Sequence, residues 1–125
     1  MSHESMKALA GEFIAAVEAG DVERVSAIYS DGLELWRNID PRTLDKRQSL
    51  KVVSWLAENV DQLRYEEVEV LVTEEGFVQR HRLRGVSKAA VAVDVAACLV
   101  VKVEDGLIVR LEEYLDSAAL APLMA

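Results

Sequence analysis

With 125 residues, 22 acidic against 14 Lys and Arg side chains and a net charge of −8, the chain has the size of one domain that can bury a core. Its acidic balance argues against nucleic acid and anionic lipid as partners, because both select clustered cations. No apolar run is long enough to span a membrane, and the single cysteine, Cys98, cannot close an internal disulfide, so a reducing cytoplasm is the expected compartment.

Met6, Leu9, Ala10, Phe13, Ile14 and Val17 recur at helical spacing between Ser5, a candidate cap, and Gly20, a stop signal, which predicts a helix over residues 5–19. Asp21 starts a short second helix with Val22, Val25, Ile28 and Tyr29 inward, ending near Asp31-Gly32. Leu33 to Ile39 alternates as a strand, with Leu33, Leu35 and Arg37 on one face and Glu34, Trp36 and Asn38 on the other, before Asp40-Pro41 ends it. Asp45 and Gln48 have the spacing of a capping box, and Leu50, Val53, Leu56 and Val60 carry a third helix to about residue 60, with Trp55 beside the stripe.

Tyr65 to Thr73 and Phe77 to Val86 form a strand pair around Glu74-Glu75-Gly76, with Gly85 a candidate bulge. A three-residue loop sets Val72 opposite Val78, Val70 opposite Arg80 and Val68 opposite Arg82, so that Arg82 shares a face with valines. A two-residue Glu75-Gly76 turn instead pairs Glu69 with Arg82 and Glu67 with Arg84 on a solvated face. Glu is a poor first residue for the tighter turn, which favours the first register. His81 then falls on the opposite parity, as an exposed neighbour of Glu69.

The last third is the most informative. Around Glu104-Asp105-Gly106, one run places Val91, Val93, Val95, Ala97, Leu99, Val101 and Val103 on a face, and the next places Leu107, Val109, Leu111, Glu113 and Leu115 there. Glu113 is the single acid in that row. A three-residue loop pairs Val103 with Leu107 and sets the small Ala97 opposite Glu113, leaving room beside the carboxylate. Cys98 is expected to be a small buried hydrophobe, and Asp94 either an interface acid or a second pocket acid. Residues 117–125 form a short helix broken by Pro122.

Two helices, a strand, a helix and four antiparallel strands, with Phe13-Ile14-Ala15-Ala16 to Gly20-Asp21 early and Val103-Glu104-Asp105-Gly106 late, resemble the NTF2-like superfamily over essentially the whole chain. The resemblance implies an α+β, cone-shaped (cystatin-like) barrel, in which a curved antiparallel sheet wraps around three helices and encloses a deep apolar pocket. It also implies a homodimer through the outer sheet face, with which the apolar outer positions Ala92, Ala96, Cys98 and Val100 agree. Members include SnoaL-like polyketide cyclases, ketosteroid isomerases and limonene-epoxide hydrolases.

Trp36-Arg37-Asn38-Ile39, Arg82-Leu83-Arg84 and Glu112-Glu113-Tyr114-Leu115-Asp116 are most similar to the epoxide-hydrolase pattern of Tyr-x-Asn, Arg-x-Asp and Asp-Tyr-Phe-Asp. That similarity implies Glu113 as the water-activating acid, Asn38 as the water-holding amide and Arg82 as the bridging cation. Trp36 replaces the Tyr hydroxyl, and Arg84 replaces the second acid. The isomerase base and protonated acid would fall near Arg37-Asn38 and Leu99, and the cyclase histidine would fall at Ala97 or Leu99. The SnoaL-like acid/base position coincides with Glu113.

The expected function is therefore enzymatic action on a small hydrophobic molecule. Glu113 is the general base, with its pKa raised by desolvation. Arg82 orients and stabilises charge, Asn38 positions water or substrate, and Trp36, Arg84, Phe13, Ala97 and Leu99 line the pocket. No cofactor is expected: His3 and His81 provide no metal-ligand set, and no Ser-His-Asp or phosphate-loop pattern is present. The alternative is a binding module that holds a small apolar acid against Arg82 or Arg84. A purely structural dimer with a buried Glu113–Arg82 pair is the third possibility.

Overall fold

The computed structural model describes residues 1–124. Helix α1 (His3–Glu18) packs with α2 (Val22–Ile28) and α3 (Lys46–Asn59) against a six-stranded sheet. The strands are β1 (Tyr29–Arg37), β2 (Asp40–Leu44), β3 (Val60–Val72), β4 (Gly76–Ser87), β5 (Ala92–Glu104) and β6 (Leu107–Leu115), followed by a 3-10 turn, Ser117–Leu120, and a last helical turn, α4 (Ala121–Met124). The order across the sheet is β2-β1-β6-β5-β4-β3. The sheet is open and mixed rather than wholly antiparallel, because β1 and β6 run parallel. Breaks of register in the β1–β2, β1–β6, β3–β4 and β5–β6 pairs bend it around the helices. Phe13, Val17, Val25, Leu35, Val53, Phe77, Leu99 and Ile108 fill the space between.

The helices form where apolar periodicity and caps coincide. The cap of α1 is Ser2, not Ser5: the Ser2 hydroxyl accepts the Ser5 N–H at 3.0 Å. Asp21 caps α2, and Asp45 with Gln48 closes the capping box of α3. Asp40-Pro41 does not end the sheet but opens β2. Proline is tolerated there because β2 is an edge strand.

Both late hairpins depart from the expected registers. The β3–β4 connection spans four residues, with Val72 opposite Phe77 and Glu69 opposite Arg80. Gly76 is required at its end, since a Cβ there would lie 2.0 Å from the Val101 carbonyl oxygen. One step of register exchanges the two faces of β4: Phe77, Gln79 and His81 turn inward, and Arg80, Arg82 and Arg84 outward. The bulges lie in β3 rather than at Gly85, where Gln62 and Glu67 adopt φ of 55° and 54°. Gly85 accommodates the first of them, because a Cβ would stand 2.4 Å from Val60 Cγ1.

The β5–β6 turn has two residues, Asp105 and Gly106, at φ 52° and 77°, the type I′ geometry that Asp-Gly favours. Glu104 therefore faces Leu107, and a bulge at Val109 then sets Leu99, not Ala97, opposite Glu113. The same bulge buries Ile108 in place of Leu107 and returns Leu111, Glu113 and Leu115 to the inner face.

Candidate functional site

Two neighbouring rows cross the inner face. One runs Gln79, Leu99, Glu113, Arg37 over β4, β5, β6 and β1; the next runs His81, Ala97, Leu115. Above them lies a cavity of about 120 Å³ bordered by Arg37, Trp55, Tyr65, His81, Ala97 and Glu113, and closed on one side by Leu120, Leu123 and Met124. A second cavity of about 60 Å³ lies deeper, between Phe13, Tyr29, Ser49 and Leu99. Glu113, Tyr65, Val52 and Leu56 border both. The acid thus stands where the two spaces meet. A larger open groove of about 550 Å³ runs between α2 and α3. Its Lys46 is committed to the Tyr29 carbonyl and Asp31, each at 3.1 Å, and Arg47 and Lys51 also line it.

Burial pushes the Glu113 carboxyl above its ordinary range, and the Arg37 guanidinium draws it part of the way back. Among the described residues no hydrogen bond reaches the carboxylate, and Arg37 ion-pairs with Asp40 at 3.7 Å rather than with Glu113. Among the described residues the buried Arg37 Nε has no hydrogen-bond partner. Burial, reinforced by the Glu113 charge, raises the phenols of Tyr29 and Tyr65 far above their usual range. His81, 5% exposed, is pushed down to about 4 by burial and is a neutral imidazole at physiological pH. It stacks on Tyr65 with ring centroids 4.5 Å apart.

The structure gathers only some of the expected site. Glu113 and Ala97 border the larger cavity, and Phe13 and Leu99 join Glu113 at the smaller one. Arg82 and Arg84 do not reach either, because the register turns them outward. Arg82 binds Asp94 at 3.1 Å, and Arg84 binds Glu66 and Glu67 at 3.0 and 2.9 Å. Asp94 belongs to that outer network, not to a pocket. Asn38 spends its amide on the backbone of Leu115, donating from Nδ2 and accepting at Oδ1, both at 3.1 Å; it prolongs the β1–β6 ladder. Trp36 packs on Tyr114 at 5.2 Å, away from the cavities. The Asn38–Arg82–Glu113 constellation of the epoxide-hydrolase pattern is therefore not assembled.

The cation beside Glu113 is Arg37, and its signal was its shared parity with Leu33 and Leu35. His81 and Tyr65 were hidden by the β3–β4 register, which also gives Glu69 to Arg80 rather than to His81. Among the described residues, no group of three or more His, Cys, Asp or Glu side chains is placed to hold a metal ion, and no helix is long and apolar enough to cross a membrane.

The family model of the SnoaL-like domain matches residues 10–111. The chain belongs to the SnoaL-like family. No curated protein matches its sequence. Among solved structures, this SnoaL-like chain is similar to a provisionally named isomerase from Bacillus subtilis (TM-score 0.84, 13% identity, 99% of this chain and 96% of that one). It is also similar to a provisionally named polyketide cyclase from Xanthomonas campestris (0.83, 15%, 96% and 97%). An NTF2-like protein from Burkholderia xenovorans aligns over 100% of this chain and 99% of that one, at TM-score 0.79 and 19% identity. At these identities the likeness is one of fold, and the fold is the expected NTF2-like α+β architecture.

Proposed function

We propose that this SnoaL-like protein is an enzyme that transfers a proton to or from a small, mostly apolar molecule, with Glu113 as acid/base. The observation that carries the reading is a half-buried carboxyl, without a hydrogen-bond partner among the described residues, at the junction of two apolar cavities. A group held this way has a proton affinity brought toward neutral pH and is exposed to whatever enters. Arg37, its neighbour across the parallel strands, takes the charge-balancing role expected of Arg82. The 120 Å³ of space is below the ~150 Å³ that accommodates benzene in an engineered cavity, so the ligand is smaller than a six-membered ring unless the Leu120–Met124 segment moves. Isomerisation and cyclisation fit a lone acid/base better than epoxide hydrolysis, for which neither the second acid nor a free amide faces the cavity.

A second reading is favoured by one observation, that Nε of Arg37 has no partner among the described residues: a binding module whose ligand is a small apolar acid seated against that guanidinium. A thermal-shift panel separates the two. Stabilisation by neutral ketones or epoxides, with turnover abolished by Glu113→Gln, supports the enzyme; stabilisation by carboxylic acids alone replaces it with the binding module. We further propose a homodimer through the outer sheet face, where Val68, Leu71, Val100 and Tyr114 are exposed, and, on the single unpaired Cys98, a reducing cytoplasmic setting. A monomer by light scattering would refute the dimer.

A further inference from the structure

In a strongly acidic chain, two cations without a counter-charge stand side by side over the open groove between α2 and α3. Of the 14 Lys and Arg side chains, ten form ion pairs among the described residues. The other four are Lys7, Arg24, Arg47 and Lys51. Arg47 and Lys51 are both exposed and lie one turn apart on α3, a spacing at which like charges repel. Ser54 continues the same helix face at i+7 from Arg47, and all three side chains line the groove.

The groove's volume of about 550 Å³ falls in the range of about 300–1,000 Å³ typical of small-molecule sites. Its apolar surface comes from Val22 and Leu50, which the fold leaves only half-buried. The two carboxylates on its rim are already engaged: Asp31 by Lys46 at 3.1 Å, and Asp45 by the Gln48 N–H at 2.8 Å in the capping box of α3. Lys46, Arg47 and Lys51 against Asp31 and Asp45 leave the lining at +1, although the chain as a whole carries −8. A monoanion would answer only one of the two free cations. A phosphate monoester brings nearly two charges and three acceptor oxygens at neutral pH, enough for the Arg47 fork, the Lys51 ammonium and the Ser54 hydroxyl together. Inorganic phosphate would leave Val22 and Leu50 in contact with water, so the fitting ester has an apolar body. The overall negative charge disfavours an anionic membrane surface as its source, which leaves a dissolved small molecule.

We propose that the α2–α3 groove is a second ligand site, which takes a small phosphate monoester of an apolar alcohol. Its phosphate sits on Arg47, Lys51 and Ser54, and its apolar group lies on Val22 and Leu50. The groove shares no lining residue with either cavity at Glu113, so this site stands or falls independently of the acid/base reading.

The test is calorimetric titration of the full chain with phenyl phosphate, in a phosphate-free buffer of low ionic strength near neutral pH. One saturable site per chain is expected, weakening as salt is added. Arg47→Gln and Lys51→Gln should each weaken it about fivefold, the upper end for one exposed ion pair. Lys7→Gln removes the same charge from an exposed position outside the groove and should change binding less than about twofold. Inorganic phosphate, without the ring, and benzoate, with one charge, should each bind about tenfold more weakly than phenyl phosphate. Glu113→Gln should leave phenyl phosphate binding unchanged. No saturable binding, an equal loss in Lys7→Gln, benzoate binding as tightly as phenyl phosphate, or a loss in Glu113→Gln would each overturn the proposal. Glutamine matches Arg and Lys in helix propensity, and should one groove variant still fail to fold, the other variant and the three wild-type titrations decide.

Discussion

Filling the larger cavity from its floor is the most informative single perturbation. Ala97→Leu adds three carbons at a position bordered by His81, Leu115 and the cavity. Six carbons of benzene occupy a cavity of ~150 Å³, so three need roughly 75 Å³, less than the about 120 Å³ present. At about 0.8 kcal/mol per buried methylene the gain is at most roughly 2.4 kcal/mol, and ordering the leucine side chain returns about 0.5–1 kcal/mol of it. A net stabilisation of about 1.5 kcal/mol follows, read as a higher urea midpoint at unchanged slope, together with loss of the thermal shift produced by small ligands. Such a trade of stability against binding is expected where a site is kept open. A destabilisation of about 1–3 kcal/mol, the mark of overpacking, with ligand binding intact, would refute the argument that an empty functional cavity lies over Ala97.

Arg82→Ala should leave ligand binding and turnover unchanged and alter stability little, because its partners Glu67 and Asp94 are half-exposed; a loss of activity in a folded variant would return Arg82 to the site. His81 is pushed down to about 4 from 6.5, so the unfolded chain takes up a proton there before the folded one. The stability it contributes is present above about pH 6.5 and is lost as pH falls toward 4, a difference of roughly 3 kcal/mol. His81→Phe should flatten the acid side of the stability profile in that window. An unchanged acid limb would show that the imidazole is not sequestered.

The fold was legible because its signals are local and redundant. Asp21, the Asp45–Gln48 box and the 3.6-residue stripes place the helices, and the alternation of Val93, Val95, Leu99 and Val101 against Asp94, Ala96 and Val100 fixes the faces of β5. Glu113 was legible for the same reason: Leu111 and Leu115 frame it on the same face whichever turn precedes it. What failed was counting through turns. One residue in the β3–β4 loop exchanged Arg82 for His81, and two bulges in β3, at Gln62 and Glu67, leave no mark in composition. Asn38 and Trp36 shared the outward parity of Glu34 all along, and it was the family pattern, not the residues, that assigned them to the pocket. Arg37 shared the inward parity of Leu33 and Leu35, and its place beside Glu113 needed the parallel pairing of β1 with β6, which no short-range pattern encodes.

The central claim, that the fold holds Glu113 for function and not for stability, is tested most directly by urea unfolding of wild type and Glu113→Gln from pH 4 to 8. A carboxyl whose folded-state pKa is raised favours folding fully below its unfolded value, about 4.3, and loses that contribution as pH rises through the folded value. The expected result is a variant more stable than wild type at pH 7–8, with the gap closing toward pH 4. A variant less stable by about 3 kcal/mol or more at pH 7, recovering as pH falls, would mean that Glu113 serves as the counter-charge of Arg37, and would contradict it.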